Sequence, residues 1–203
     1  MNCCKADRNS QTNVLMLSLG DAGKTQLLYS WSNHKFIETT PTIAFNVETI
    51  YHQNQRIAIW DIGGQVMIRK YWHHYFQNMK AIFFVIDSTQ RDFKFIQEAK
   101  SVLLNLLNNQ ILAKVPFLIL FNKTDLNNSF TDEEILEEFY LSFDQEQISA
   151  QYAHQVKVMR SSALQRDYIE EILSWVMEDK IEEPKMKTVE SQQSQYFQDI
   201  LLD

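Results

Sequence analysis

Short buried-strand runs alternate with helical stretches along most of this chain, and that alternation limits the fold more than any other feature. Asn13-Val-Leu-Met-Leu17, Ala81-Ile-Phe-Phe-Val-Ile86 and Val115-Pro-Phe-Leu-Ile-Leu-Phe121 are apolar or nearly so from end to end. Each is far too short for a membrane span and suits a strand covered on both faces. Ile43 to Tyr51 and Gln55 to Asp61 read as two more strands joined by the polar turn His52-Gln53-Asn54. Val156-Lys-Val-Met159 reads as a sixth. Between them, Lys24 to Trp31 reads as a helix, as does Arg91 to Gln110, with Phe95, Val102, Leu103, Leu106 and Leu107 at helical spacing. Thr131-Asp-Glu-Glu134 has the form of a capping box opening a further helix. Asp167 to Glu178 forms a last one, with Ile169, Ile172, Leu173 and Val176 inward. Such alternation predicts an α/β fold with a mostly parallel sheet. In sheets of this kind, ligands sit beyond the carboxyl ends of the strands.

The chain has 203 residues, which suits one domain plus a tail, and 45% of them are hydrophobic, enough for a sizeable core. Its net charge of −7 argues against the basic face that neutralising nucleic-acid phosphates needs, so no nucleic-acid partner is expected.

Glycine is scarce, and its placement is informative. There are four glycines, where average usage of about 7% would give on the order of 14. Gly20 and Gly23 follow the first strand, and Gly63 and Gly64 follow the third. Glycine is needed where a backbone bends sharply or approaches a ligand closely. Both stretches read as phosphate contacts.

Ser18-Leu-Gly-Asp-Ala-Gly-Lys-Thr25 is a P-loop whose first glycine is replaced by Ser18. In such loops the backbone N–H groups curl around phosphates, the lysine reaches the β- and γ-oxygens and the threonine ligates Mg²⁺. The helix opening at Lys24 adds its positive dipole end. Ser18, Leu19, Gly20, Asp21, Ala22, Gly23, Lys24, Thr25 and Gln26 are therefore the candidate phosphate contacts. In Asp61-Ile-Gly-Gly-Gln65, the strand-end Asp61 suits Mg²⁺. Gly64 suits a backbone contact to a γ-phosphate, and Gln65 suits the orientation of an attacking water. Asn122-Lys-Thr-Asp125 follows a buried strand. A carboxylate at Asp125 can accept from the N1 and N2 donors of guanine, which adenine cannot reproduce, while Asn122 would tether the loop. Ser161-Ser-Ala163 would bring a backbone N–H near guanine O6, so Lys123, Ser162 and Ala163 join the candidate base contacts.

Together these residues resemble a small GTPase of the Ras superfamily, and specifically the ADP-ribosylation factor and ARF-like family. The runs Thr40-Pro-Thr-Ile-Ala-Phe-Asn-Val-Glu48, Ile59-Trp-Asp-Ile-Gly-Gly-Gln65 and Tyr71-Trp-His-His-Tyr-Phe-Gln-Asn78 carry the likeness, which extends from about Val14 to about Val176. The resemblance implies a P-loop GTPase fold, with about six strands and helices on both faces of the sheet. It implies GTP or GDP with Mg²⁺ as cofactors, and makes Thr42 the switch I threonine that joins Thr25 and Asp61 at the metal. The stretch 62–77 becomes switch II. Phe45, Trp60 and Tyr75 match an aromatic patch that the family uses to read effectors, with core packing as the alternative for such rings. The hairpin from Ile43 to Asp61 keeps the length that allows a two-residue slide linked to nucleotide exchange. This chain departs from the family at Ser18 and Ala44, which replace glycines. It departs again at Gly20–Asp21, where aspartate usually comes one residue earlier, and in having no myristoylated amphipathic N-terminal helix.

Residues 1–13 are expected to be a flexible segment, 14–180 the GTPase domain and 181–203 a tail. For the tail, disordered chain and a short amphipathic helix around Tyr196–Leu202 are the alternatives. The connection from Ser142 to His154 reads as longer than usual for the family. The cysteines are Cys3 and Cys4. Paired S-acylation is one reading, since two acyl chains anchor stably where one does not; exposed thiols are the other. No apolar leader is evident, so a cytoplasmic monomer is expected, peripheral on an intracellular membrane if acylated.

The implied function is a regulatory GTP-binding protein with slow hydrolysis assisted by an activating protein. An exchange factor and effectors are implied as partners, in membrane or vesicle trafficking. Gln65 and Lys24 would carry the chemistry, and Arg69 reads as a surface residue rather than an arginine finger. The alternatives are a nucleotide-bound module that does not hydrolyse GTP, and an ATP-dependent P-loop kinase, which Asp125 disfavours.

Overall fold

The computed structural model describes residues 11–33, 39–42, 44–141, 144, 148–149, 155–165 and 168–178. Cys3 and Cys4, the tail 181–203, most of the 142–154 connection, Ile43 and Asp167 lie outside the described residues. In chain order the elements are β1 (Gln11–Ser18), α1 (Lys24–Asn33), β2 (Phe45–His52), β3 (Gln55–Ile62), α2 (Val66–Arg69), β4 (Ala81–Asp87), α3 (Phe93–Leu107), β5 (Phe117–Asn122), α4 (Asp132–Phe139), β6 (Val156–Arg160) and α5 (Ile169–Met177). Trp72–Tyr75 and Gln110–Leu112 are short 3-10 turns.

The six strands form one sheet in the order β2-β3-β1-β4-β5-β6. All pairings are parallel except β2 with β3. The continuous apolar runs are explained by cover on both faces. Leu15, Leu17, Ile82, Phe84, Ile86, Phe117 and Ile119 point to one side, where they meet Leu103 and Leu107 of α3 and Ile135 of α4. Val14, Met16, Phe83, Val85, Leu118 and Leu120 point to the other, against Leu27 and Leu28 of α1 and Ile172 and Trp175 of α5. The alternating side-chain period of a strand thus feeds two cores at once. α4 opens on the expected capping box: Thr131 accepts from the Glu134 N–H, and Glu134 accepts from that of Thr131.

Where the structure departs from expectation, the cause is local. β1 begins at Gln11, inside the segment read as flexible, because Gln11, Thr12 and Asn13 pair with Arg56, Ile57 and Ala58. α2 and the turn at Trp72 carry no helical sequence signal, since four residues span barely one period. The β2–β3 turn places Gln53 and Asn54 at φ +48° and +63°. That left-handed pair normally takes Asn-Gly. Asp21, Asn78, Lys123 and Tyr140 are also left-handed, so among the described residues most left-handed positions fall on residues other than glycine. The tip of the hairpin is held to α5 by buried His52, whose Nε2 lies 3.1 Å from Ser174 Oγ and whose Nδ1 lies 3.3 Å from Glu170 Oε2.

Candidate nucleotide site

The loop between β1 and α1 crosses the carboxyl end of the sheet and is held from below. Asn122, the last residue of β5, donates from Nδ2 to the Ala22 carbonyl at 2.8 Å. Gly23 has φ +82°, and a Cβ there would lie 2.6 Å from that same Asn122 nitrogen. Gly23 is thus required by its conformation and by its neighbour. Gly20 is different: a Cβ on it would meet nothing within 4 Å, and the left-handed residue is Asp21, at φ 61°. The loop's strained position therefore falls on an aspartate, a residue type that tolerates it. No protein atom requires a glycine at position 20, which lines the cleft where a phosphate contact is expected.

Lys24 opens α1 and turns back over the loop into the protein. Its side chain is 7% exposed and its Nζ donates to Ser18 Oγ at 2.6 Å, with Asp61 Oδ1 3.7 Å away. Burial lowers its pKa below the ordinary lysine value, and the Asp61 and Asp21 carboxylates offset only part of that effect. Thr25 Oγ1 donates to Asp61 Oδ2 at 2.5 Å and lies 3.0 Å from Thr42 Oγ1. Asn46 Nδ2 donates to Thr42 Oγ1 and Asp61 Oδ2, both at 3.4 Å. Asp61 itself is fully buried, and its Oδ1 has no hydrogen-bond partner. An orphaned carboxylate oxygen beside two converging hydroxyls is a donor set of hard oxygens, and it fits Mg²⁺.

The third wall is built from the chain after β3. The Gly63 N–H donates to Ala44 O at 3.0 Å, extending the hairpin ladder. Trp72 Nε1 donates to Gly63 O at 3.0 Å. A Cβ on Gly64 would lie 2.6 Å from the carbonyl oxygens of both Ser18 and Leu19. Switch II thus rests directly on the P-loop backbone, and only a missing side chain allows it. Gly64→Ala is expected to destabilise the fold by about 1–3 kcal/mol through overpacking against backbone. A thermal melt checks this, and an unchanged melting temperature would refute the close contact.

Arg69 departs from its sequence reading. It is 16% exposed, donates from Nε to Gly64 O at 2.7 Å and pairs through Nη1 with Glu98 at 2.5 Å. It supports the backbone that precedes Gln65. Only its partners in the fold reveal this, and no local motif announces them. Gln65 is exposed and lines the cleft formed by residues 20–26, 39–42, Gly64 and Lys123. Thr39 lines it too, one residue before the run quoted from the sequence.

At the other end, Lys123 has φ 68° and pairs with Asp87 at 2.6 Å. Thr124 donates through its backbone N–H and Oγ1 to Ser161 O, at 3.2 and 2.9 Å. Ser162 Oγ donates to Asp125 Oδ1 at 2.5 Å, and Ala163 follows, 9% exposed. The loops after β5 and β6 are therefore brought together as the motif requires. Ser18, Leu19 and Ala22 are buried. Ser18 and Leu19 lie outside the cleft lining, while Ala22 belongs to it.

Phe45, Trp60 and Tyr75 form a triangle with ring centroids 5.7, 5.9 and 6.3 Å apart. Core packing accounts for two of these rings and not for the third. Trp60 and Tyr75 pack against the core, while Phe45 is 46% exposed. Val66 and Met67 of α2 are also exposed.

The ADP-ribosylation factor family model matches residues 3–180. ADP-ribosylation factor-like protein 2 of Dictyostelium discoideum is 36% identical over 85% of this chain and 89% of its own length. ADP-ribosylation factor K of the same organism is 38% identical over 81% and 83%. Among solved structures, the Arl6 BBS3 small GTPase from Trypanosoma brucei with bound nucleotide analogue GppNp superimposes with a TM-score of 0.69 at 25% identity. That match covers 83% of this chain and 96% of the other. With a phosphate loop, a DxxG glycine resting on it and an Asn-Lys-x-Asp loop tied beneath it, this chain belongs to the ADP-ribosylation factor family of small GTPases.

Proposed function

We propose that this protein is a regulatory GTP-binding switch that hydrolyses GTP slowly and recruits effectors while GTP is bound. One observation carries this furthest: the Thr25 and Thr42 hydroxyls meet at buried Asp61, whose Oδ1 lacks a hydrogen-bond partner, with Lys24 alongside. Thr25, Thr42 and Asp61 would hold Mg²⁺, which when bound neutralises charge on the β- and γ-phosphates. Lys24 and the N–H groups of the P-loop and the first turn of α1 would bind the phosphate oxygens. Thr42 and Gly64 would close on the γ-phosphate, tying both switches to the nucleotide state. Gln65, exposed at the cleft wall, would orient water. The Arg69 guanidinium is engaged by Gly64 O and Glu98, so it does not serve as an internal arginine finger. Unassisted turnover is then slow, and an activating protein would supply the missing charge. The nucleotide analogue GppNp bound by the Trypanosoma brucei small GTPase supports a nucleotide ligand here.

Phe45, Trp60 and Tyr75, extended by exposed Val66, Met67 and Tyr71, would form the effector surface. Membrane or vesicle trafficking is the proposed setting, with acylation of Cys3 and Cys4 as the proposed anchor. No helix among the described residues is long and apolar enough to cross a membrane. The replaced loop residues Ser18 and Gly20–Asp21 favour a second reading, a module that holds nucleotide without turning it over.

Asp125 tests the ligand. Asp125→Asn is expected to cut the preference for GTP over ATP by about a hundredfold or more, because the carboxylate acceptor for two guanine donors is lost. Competition binding measures it. An unchanged preference would remove Asp125 from base recognition.

A further inference from the structure

Ser18 occupies the position of the P-loop's first glycine, and in this chain its side chain has a partner. It is fully buried at the end of β1. Its hydroxyl donates to the Leu19 carbonyl, which turns the oxygen's lone pairs toward Lys24. Lys24 Nζ donates to that oxygen at 2.6 Å while standing 3.7 Å from Asp61 Oδ1. A charge-assisted bond between ammonium and carboxylate closes to about 2.7–2.9 Å. The ammonium is therefore held back from a contact hydrogen bond with the carboxylate that it faces across 3.7 Å. A glycine at position 18 offers no side-chain acceptor, and a buried ammonium would then move onto Asp61.

We propose that the Ser18 hydroxyl is a positioning residue that holds Lys24 off Asp61 and aims its ammonium at the β-phosphate of a guanine nucleotide. A lysine ammonium has three donors. One is fixed on Ser18, and the remaining donors stay available to phosphate oxygens. Asp61 Oδ1 stays open as well. The carbonyls of Ser18 and Leu19 also carry Gly64, so the same residue sets the lysine and the seat of switch II. This inference rests on the guanine-nucleotide function proposed above.

The test compares GDP with GMP, which lacks the β-phosphate, by competition binding in Mg²⁺ to the full chain, Ser18→Ala, Ser18→Gly, Lys24→Ala and the Ser18→Ala/Lys24→Ala double variant. Ser18→Ala and Ser18→Gly are each expected to weaken GDP about tenfold and GMP by less than about twofold, with no further loss of GDP when Ser18→Ala is added to Lys24→Ala. A general disturbance of the loop would weaken GDP and GMP alike, and that result would overturn the proposal. So would a loss that persists without Lys24, tighter GDP binding, or no change. Two variants are used so that one that fails to fold does not decide the matter. Wild-type protein that binds neither nucleotide would overturn the guanine-nucleotide function itself, and this inference with it. Wild-type binding with no Ser18 effect would overturn the inference alone.

Discussion

Lys24→Ala is expected to weaken GDP and GTP binding by about a hundredfold or more, through loss of charge-assisted bonds to phosphate. It is also expected to destabilise the nucleotide-free protein. Lys24 is buried and faces Asp61, whose Oδ1 is orphaned. Removing the ammonium leaves a fully buried carboxylate supported only by the Thr25 hydroxyl and the long Asn46 contact. Breaking a buried pair in this way costs about 3–5 kcal/mol where the pair is tight. At 3.7 Å the lower end applies here. Lys24→Met keeps the aliphatic stem, so comparing its melting curve with that of Lys24→Ala separates lost charge from lost packing. Nucleotide affinity within a few-fold of wild type in both variants would mean that the cleft does not bind phosphate through this lysine.

Gln65→Leu is expected to slow single-turnover GTP hydrolysis by about a hundredfold, as follows from losing the orientation of the attacking water. Nucleotide affinity should stay near wild type, because Gln65 is exposed at the cleft wall rather than part of the loop that holds phosphate. The split between binding and turnover is the informative part. Equal loss of both would indicate that the substitution disturbs switch II, which is packed against Ser18 and Leu19 through Gly64. Wild-type and variant rates that coincide at background would favour the module that does not hydrolyse GTP.

Much of this was legible in the sequence because it is carried by local pattern. The buried runs Ala81–Ile86 and Val115–Phe121 suit strands covered on both faces, and the strands Ala81–Asp87 and Phe117–Asn122 are so covered. The Thr131–Glu134 capping box is complete within four residues. The P-loop, DxxG and Asn-Lys-x-Asp motifs predict a meeting at one end of the sheet, because each follows a strand. Side-chain contacts that no local pattern encodes were hidden. Arg69 reads as a surface arginine until its bonds to Gly64 and Glu98 are seen. Ser18 reads as a defect in the glycine pattern until Lys24 is found on its hydroxyl. Glycine placement did not reveal that Asp21, not Gly20, takes the left-handed conformation. The sequence left the packing of Trp60 open, and its ring lies against the core while also meeting partly exposed Phe45.

The central claim is that this cleft holds a guanine nucleotide. The most direct measurement is to extract and identify by mass what co-purifies with the full chain, then to titrate the stripped protein with GDP in Mg²⁺. The predicted result is GDP or GTP near one equivalent, or empty protein that takes up GDP at one site. Bound adenine nucleotide, or empty protein that binds no added GDP, would contradict it.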